Sequence, residues 1–118
     1  MRGIQGEPIA TSRAGQRLAS APAERRAHAR IGIRQHCVLV TADARLQGWI
    51  RDISLGGMLV ELPLPVTSYR LAEVQGVDVP DLGWVAVERR WSAGPRLGLR
   101  FRAPARARDI AEALMAKA

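Results

Sequence analysis

The chain has 118 residues, 47% apolar and 25% charged, which suits one globular domain whose core must come from Val, Leu, Ile and Ala, since there is one Phe, one Tyr and three Trp. No run approaches the ~20 apolar residues of a spanning helix, no signal-peptide block precedes Glu7 and Pro8, and Cys37 with His28 and His36 makes neither a disulfide nor a zinc ligand set. A soluble cytoplasmic domain is expected, with no membrane insertion, metal or cofactor. Eighteen basic residues against eleven acids give +7, almost all of it arginine because Lys117 is the sole lysine, so the expected partner is anionic.

Residues 1-23 are rich in Gly, Pro, Ser, Ala and Arg and carry no apolar period, which predicts a flexible basic arm. From Ile31 the period becomes 2: Ile31, Ile33, Cys37, Leu39 and Thr41 share one face and Arg34 and His36 the other, a strand over 31–41. After turn residues at 41–45, Gly48–Ile53 reads as a second strand, interrupted by Ser54-Leu-Gly-Gly57, and Met58–Leu62 as a third, stopped by Pro63 and Pro65. A fourth strand is expected around Tyr69–Val74 or Val77–Val79, where alternation is poor. Trp84–Trp91 and Leu97–Arg102 form a fifth and sixth around a Ser92–Pro95 turn, with Leu97, Leu99 and Phe101 inward. Beyond Pro104, Ala107, Ile110, Ala111 and Leu114 lie on one helical face. The predicted fold is all-β, a small six-stranded antiparallel barrel with a short C-terminal helix at about 105–118. The expected domain spans 24-118.

Two segments carry candidate chemistry. Arg26-Ala-His-Ala-Arg30 joins the arm to the first strand, although its Arg-x-x-x-Arg spacing recurs at 13/17, 30/34, 96/100 and 102/106 and means nothing alone. Asp52-Ile-Ser-Leu-Gly-Gly57 is rarer. If the strand continued, Asp52 and Ser54 would share a sheet face while Gly56 and Gly57 allowed close approach; alternatively, Asp and Ser cap a bulge and the glycines supply positive φ. Arginine forks match guanine O6 and N7, and a carboxylate matches the guanine N1–H and N2–H donors. The two segments together suit a guanine nucleotide with phosphates.

In these motifs the sequence resembles the PilZ domain, a bacterial receptor for cyclic di-GMP: Arg25-Arg26-x-x-x-Arg30, then Asp52-x-Ser54-x-x-Gly57, then Leu97-Gly98-Leu-Arg-Phe101, in that order. The resemblance implies that Arg26 and Arg30 contact guanine and phosphate, that Asp52 and Ser54 hydrogen-bond the base, and that Gly57, beside Gly56, permits its approach. Arg25 is implied as a secondary contact of domains that bind an intercalated ligand dimer. Trp91 resembles a ligand-facing position that could stack on a base, with burial in the core as its alternative. Binding would order the arm and signal to an unidentified partner protein, without catalysis: His28 and His36 offer Ser54 no activating pattern, and Cys37 reads as a small core residue. The competing readings are a PilZ-like interaction module that binds no nucleotide and a basic nucleic-acid-binding barrel; scarce outward aromatics make nucleic acid unfavoured.

Overall fold

The computed structural model describes residues 29–118. Six strands, β1 (Ile31–Thr41), β2 (Arg45–Ile53), β3 (Gly57–Glu61), β4 (Val74–Val79), β5 (Gly83–Ala93) and β6 (Arg96–Phe101), precede one helix, α1 (Pro104–Ala116). They close into an antiparallel barrel in the order β1-β2-β3-β6-β5-β4, with β4 returning to β1. Closure leaves no edge strand with unpaired backbone groups.

Alternation dictates which residues fill the interior. Cys37 and Leu39 of β1, Ile50 and Ile53 of β2, Met58 and Val60 of β3, Val77 and Val79 of β4, Val85 and Val87 of β5 and Leu97, Leu99 and Phe101 of β6 form one buried cluster. Phe101 is its only buried aromatic, so the interior is packed with aliphatic side chains and any ligand surface must lie on the wall. Ala107, Ala111 and Leu114 seat α1 on the barrel, with Ile110 packed partly against the cluster. The Cys37 thiol is pushed up to about 12 by burial, which leaves it a protonated, unreactive core group.

Most expected elements appear, with corrections at their ends. β2 starts at Arg45, three residues earlier than expected, because Leu46 already alternates inward and packs partly against the core. The open fourth strand is Val74–Val79; Tyr69 instead ends a short 3-10 turn, Val66–Tyr69, and donates nothing to a ladder. That turn follows Pro63 and Pro65, and its Tyr69 hydroxyl accepts the Leu64 N–H at 3.0 Å. β5 lengthens to Gly83–Ala93 and β6 shifts back by one residue, leaving a two-residue hairpin turn at Gly94 and Pro95, where Gly94 has φ 56°. Four single-residue register shifts break the ladders: between Gly32 and Gln35 of β1, between Ile50 and Asp52 of β2, between Val74 and Gly76 of β4, and between Arg89 and Trp91 of β5. Such bulges re-aim the side chains beyond them.

Candidate nucleotide-binding face

The bulge at Arg51 turns Asp52 onto the outer face, where it pairs in register with Leu59 of β3. Leu59 pairs with Gly98 of β6, and Gly98 with Trp91 of β5. Asp52, Leu59, Gly98 and Trp91 therefore lie in one row across four strands, spanning about 14 Å at the usual strand spacing. The neighbouring row holds Gly57, Arg100 and Glu88. Ion pairs decorate it: Arg100 with Glu88, and Arg102 with Glu88 at 3.5 Å and Glu73 at 3.7 Å.

Trp91 is on the surface, 47% exposed, and is not a core residue. A Cβ on Gly98 would overlap its indole nitrogen and stand 2.8 Å from its Cδ1. The ring thus lies flat over the glycine, leaving its other face to solvent. Burial was excluded by the bulge before it, which carries the side chain outward at the barrel end where β5 is exposed from Arg89 to Ala93.

Arg30 stands just before β1, and its Nη1 donates to Asp52 Oδ1 at 2.6 Å. Both side chains are part-exposed, 30% and 24%. The guanidinium and carboxylate assigned to opposite edges of guanine are therefore brought together and presently satisfy one another. Arg25 and Arg26 lie outside the described residues, as does His28.

Ser54 is placed differently from Asp52. The strand ends at Ile53, and the buried Ser54 hydroxyl accepts the N–H groups of Gly56 and Gly57, each at 3.2 Å. A backbone bond from Ser54 N–H to the Gly57 carbonyl at 2.9 Å closes the same turn. Ser54 does not share the Asp52 face here; its hydroxyl holds the turn that fixes where Asp52 points. Gly56 in turn accepts the Phe101 N–H at 3.0 Å, tying the turn to β6. Gly57 is not among the positive-φ residues. Its glycine answers a lack of room: a Cβ would overlap the Leu99 carbonyl oxygen and sit 3.1 Å from its carbon.

Arg100, absent from the expected set, is the register partner of Gly57. Its outward place in the alternation of Leu97-Gly-Leu-Arg-Phe was a readable signal, but its neighbour on β3 was not. His36, expected to be an outward bystander, meets Trp49 edge-on with ring centroids 5.4 Å apart and pairs with Gln47. Among the described residues no cluster of three or more His, Cys, Asp or Glu could hold a metal, and no helix is long and apolar enough to cross a membrane.

By form this is a closed barrel whose wall carries a row of residues from the Asp52 carboxylate to the exposed Trp91 ring. The sequence profile of the PilZ domain matches residues 24–116, and the chain belongs to that family. Among solved structures the chain is similar to YcgR from Escherichia coli, determined in complex with c-di-GMP, with a TM-score of 0.50 and 26% identity. The match covers 79% of this chain and 46% of that one, so the chain spans less than half the length of YcgR. A search of the curated proteins gives no match.

Proposed function

We propose that the chain is a receptor for cyclic di-GMP that acts by binding and carries out no chemistry. Membership of the PilZ family and the likeness to YcgR, itself solved with c-di-GMP, support this reading. The observation that carries it is the Arg30–Asp52 pair at one end of a row that ends in the Trp91 ring. On this reading Asp52 exchanges Arg30 for the N1–H and N2–H of guanine, two donors for its two oxygens, while the released guanidinium turns to O6 and N7 or to phosphate. Trp91 supplies a stacking face, fixed by Gly98 beneath it, so little side-chain freedom is lost on binding. Arg25 and Arg26 add contacts from residues 24–30, which the ligand fastens onto the barrel formed by the domain at 24-118. The surface so created signals to a downstream protein. Ser54, Gly56 and Gly57 serve the ligand by shaping the turn that presents Asp52.

The test is calorimetric titration of the purified chain with cyclic di-GMP at fixed physiological salt, with GTP, cyclic di-AMP and a short single-stranded DNA as controls. Selective binding at micromolar concentration or below, with one or two ligands per chain, is expected. Heat no greater than that from the other anions overturns the proposal and favours an interaction module that binds no nucleotide.

A further inference from the structure

All three tryptophans are large exposed apolar residues, at 38% for Trp49, 49% for Trp84 and 47% for Trp91. Fully solvated indoles are costly to leave on a surface and are enriched where partners anchor. Two of the three have an account. Trp91 ends the ligand row, and Trp49 is covered by the Arg34 guanidinium, 4.8 Å from its ring centroid, and by the edge of His36. Trp84 has neither cation nor ring partner among the described residues.

Trp84 lies on the outer face of β5, opposite Asp78. Its ring covers Gly76 of β4, where a Cβ would overlap the six-membered ring. The indole is therefore held down on one side and forms a wall on the other. That wall bounds a groove of about 210 Å³ between β5 and the start of α1, lined also by Val85, Ala86, Ala103, Ala107 and Arg106. Small side chains on the helix and strand create the depression. Its volume exceeds that of the ~150 Å³ cavities that take up a benzene-sized group, so one Leu-, Met- or Phe-sized side chain fits.

Charge decides what brings that side chain. Arg106 makes no ion pair among the described residues, in contrast to Arg108 two residues on, which pairs with Glu112 at 3.1 Å. The first turn of α1 contains no acidic residue to balance it. A second copy of the chain would arrive with its own +7 and be repelled. We propose that the Trp84–Arg106 groove is a docking site for an acidic segment of a partner protein, which inserts one large apolar side chain against Trp84 and sets a neighbouring carboxylate on Arg106. Trp84 and Trp91 are seven residues apart on β5, about 23 Å along the strand, so this site is separate from the ligand row and does not depend on the nucleotide reading.

The test uses the full ¹⁵N-labelled chain without nucleotide, titrated with short peptides that each carry one Leu, Ile, Met, Phe or Trp among glutamates, and with matched peptides carrying lysines instead. Expected are shifts of the Trp84 indole N–H and of the Val85, Ala86, Ala103 and Ala107 amides with at least one glutamate peptide and with none of the lysine peptides. Arg106→Glu and Trp84→Ala should each weaken that binding at least tenfold, while Arg108→Ala leaves it unchanged. Arg106 is exposed, so its reversal keeps the test valid if loss of the indole disturbs the barrel. The proposal is overturned if no glutamate peptide moves these signals, if lysine peptides move them equally, or if Arg106→Glu has no effect. It is overturned equally if the signals respond only to protein concentration, marking self-association, or only to vesicles of anionic lipid.

Discussion

Gly57 and Gly98 sit in adjacent strands, and at each a methyl group would overlap an existing atom, yet the consequences of adding it should be opposite. At Gly57 the obstacle is backbone: the Leu99 carbonyl oxygen, with the Arg100 Cα 3.2 Å away. Accommodation requires β3 and β6 to part by roughly 1 Å, whereas ladder hydrogen bonds tolerate a few tenths. The same movement pulls on the 3.0 Å bond from Phe101 N–H to Gly56 and on the five-pair β3–β6 ladder. Overpacking of this kind costs 1–3 kcal/mol, and a strained or lost hydrogen bond about 1 more, so Gly57→Ala should destabilise the barrel by about 2–4 kcal/mol. At Gly98 the obstacle is the Trp91 indole, a half-exposed ring that can swing into solvent. Gly98→Ala gains ~0.5–1 kcal/mol from the reduced backbone entropy of the unfolded chain, which offsets the lost ring contact, so net stability should change by less than about 1 kcal/mol. Its effect falls on the ligand instead, since the stacking face is displaced, and cyclic di-GMP affinity should drop about tenfold. Urea unfolding followed by circular dichroism measures the first quantity and calorimetry the second. Equal stability losses in the two variants, or a Gly57→Ala protein as stable as the parent, would refute the distinction between a backbone and a side-chain obstacle.

Arg30→Ala should abolish detectable cyclic di-GMP binding while shifting stability by no more than about 1 kcal/mol, because a part-exposed ion pair contributes little; a collapse of the fold in urea unfolding would show that the pair is structural. Asp52→Ala should reduce the preference for guanine over adenine cyclic dinucleotides, read by parallel titrations; unchanged selectivity would mean that the carboxylate does not read the base. In Ser54→Ala the buried Gly57 N–H and the part-buried Gly56 N–H lose their shared acceptor, so a stability loss of about 1–3 kcal/mol is expected in thermal unfolding, along with weaker binding as the turn loosens; an equally stable variant would show that the turn does not need the hydroxyl. Cys37 should resist alkylation in the folded protein at neutral pH and react on unfolding. Because its folded value of about 12 stands above the ordinary 9.0, the unfolded chain releases this proton first, and stability from this group is complete below pH 9 and lost as pH rises towards 12; rapid labelling of the native chain at pH 8 would contradict the burial.

Alternation made β1, β5 and β6 legible because each buries one face and solvates the other, so period 2 is written directly in Leu97, Leu99 and Phe101. It failed at β4, where Val74, Gly76, Val77 and Val79 are all buried and Gly76 is covered from outside by Trp84 rather than by a polar alternation. At Ser54 the end of the strand at Ile53 was legible in Ser54-Leu-Gly-Gly57, but the choice between a face shared with Asp52 and a turn held by the hydroxyl was not, because it depends on where the Gly56 and Gly57 N–H groups fall. The candidate site was legible as a set of residue types but not as a surface. Its row from Asp52 to Trp91 exists only because bulges at Arg51 and Arg90 reset the register, and because β3 pairs with β6, forty residues away in sequence. Neither a bulge nor a long-range pairing has a signature in a single sequence. Gly98 is visible in the sequence as part of a motif, yet its use, as the floor under an exposed ring, depends on the neighbouring strand.

The same surface bears on the rival in which this basic chain binds nucleic acid. A polyanion groove needs consecutive cations free to neutralise phosphates along a track. Here Arg30, Arg45, Arg51, Arg96, Arg100, Arg102 and Arg108 each have a carboxylate within 4 Å, so their charge is largely balanced locally. The arginines without such a partner among the described residues are dispersed: Arg34 on β1 lies over Trp49, Arg89 and Arg90 share the end of β5, Arg70 follows the 3-10 turn and Arg106 borders the helix groove. They do not line up on one face, and the exposed rings are equally separated, with Trp49 on β2 and Trp84 and Trp91 at opposite ends of β5. Local pairing suits a compact ligand that trades one partner for another, as Asp52 would trade Arg30 for guanine. Among the described residues it does not suit a long strand whose affinity comes from many unpaired cations, which supports the proposed small-ligand reading over a polymer track.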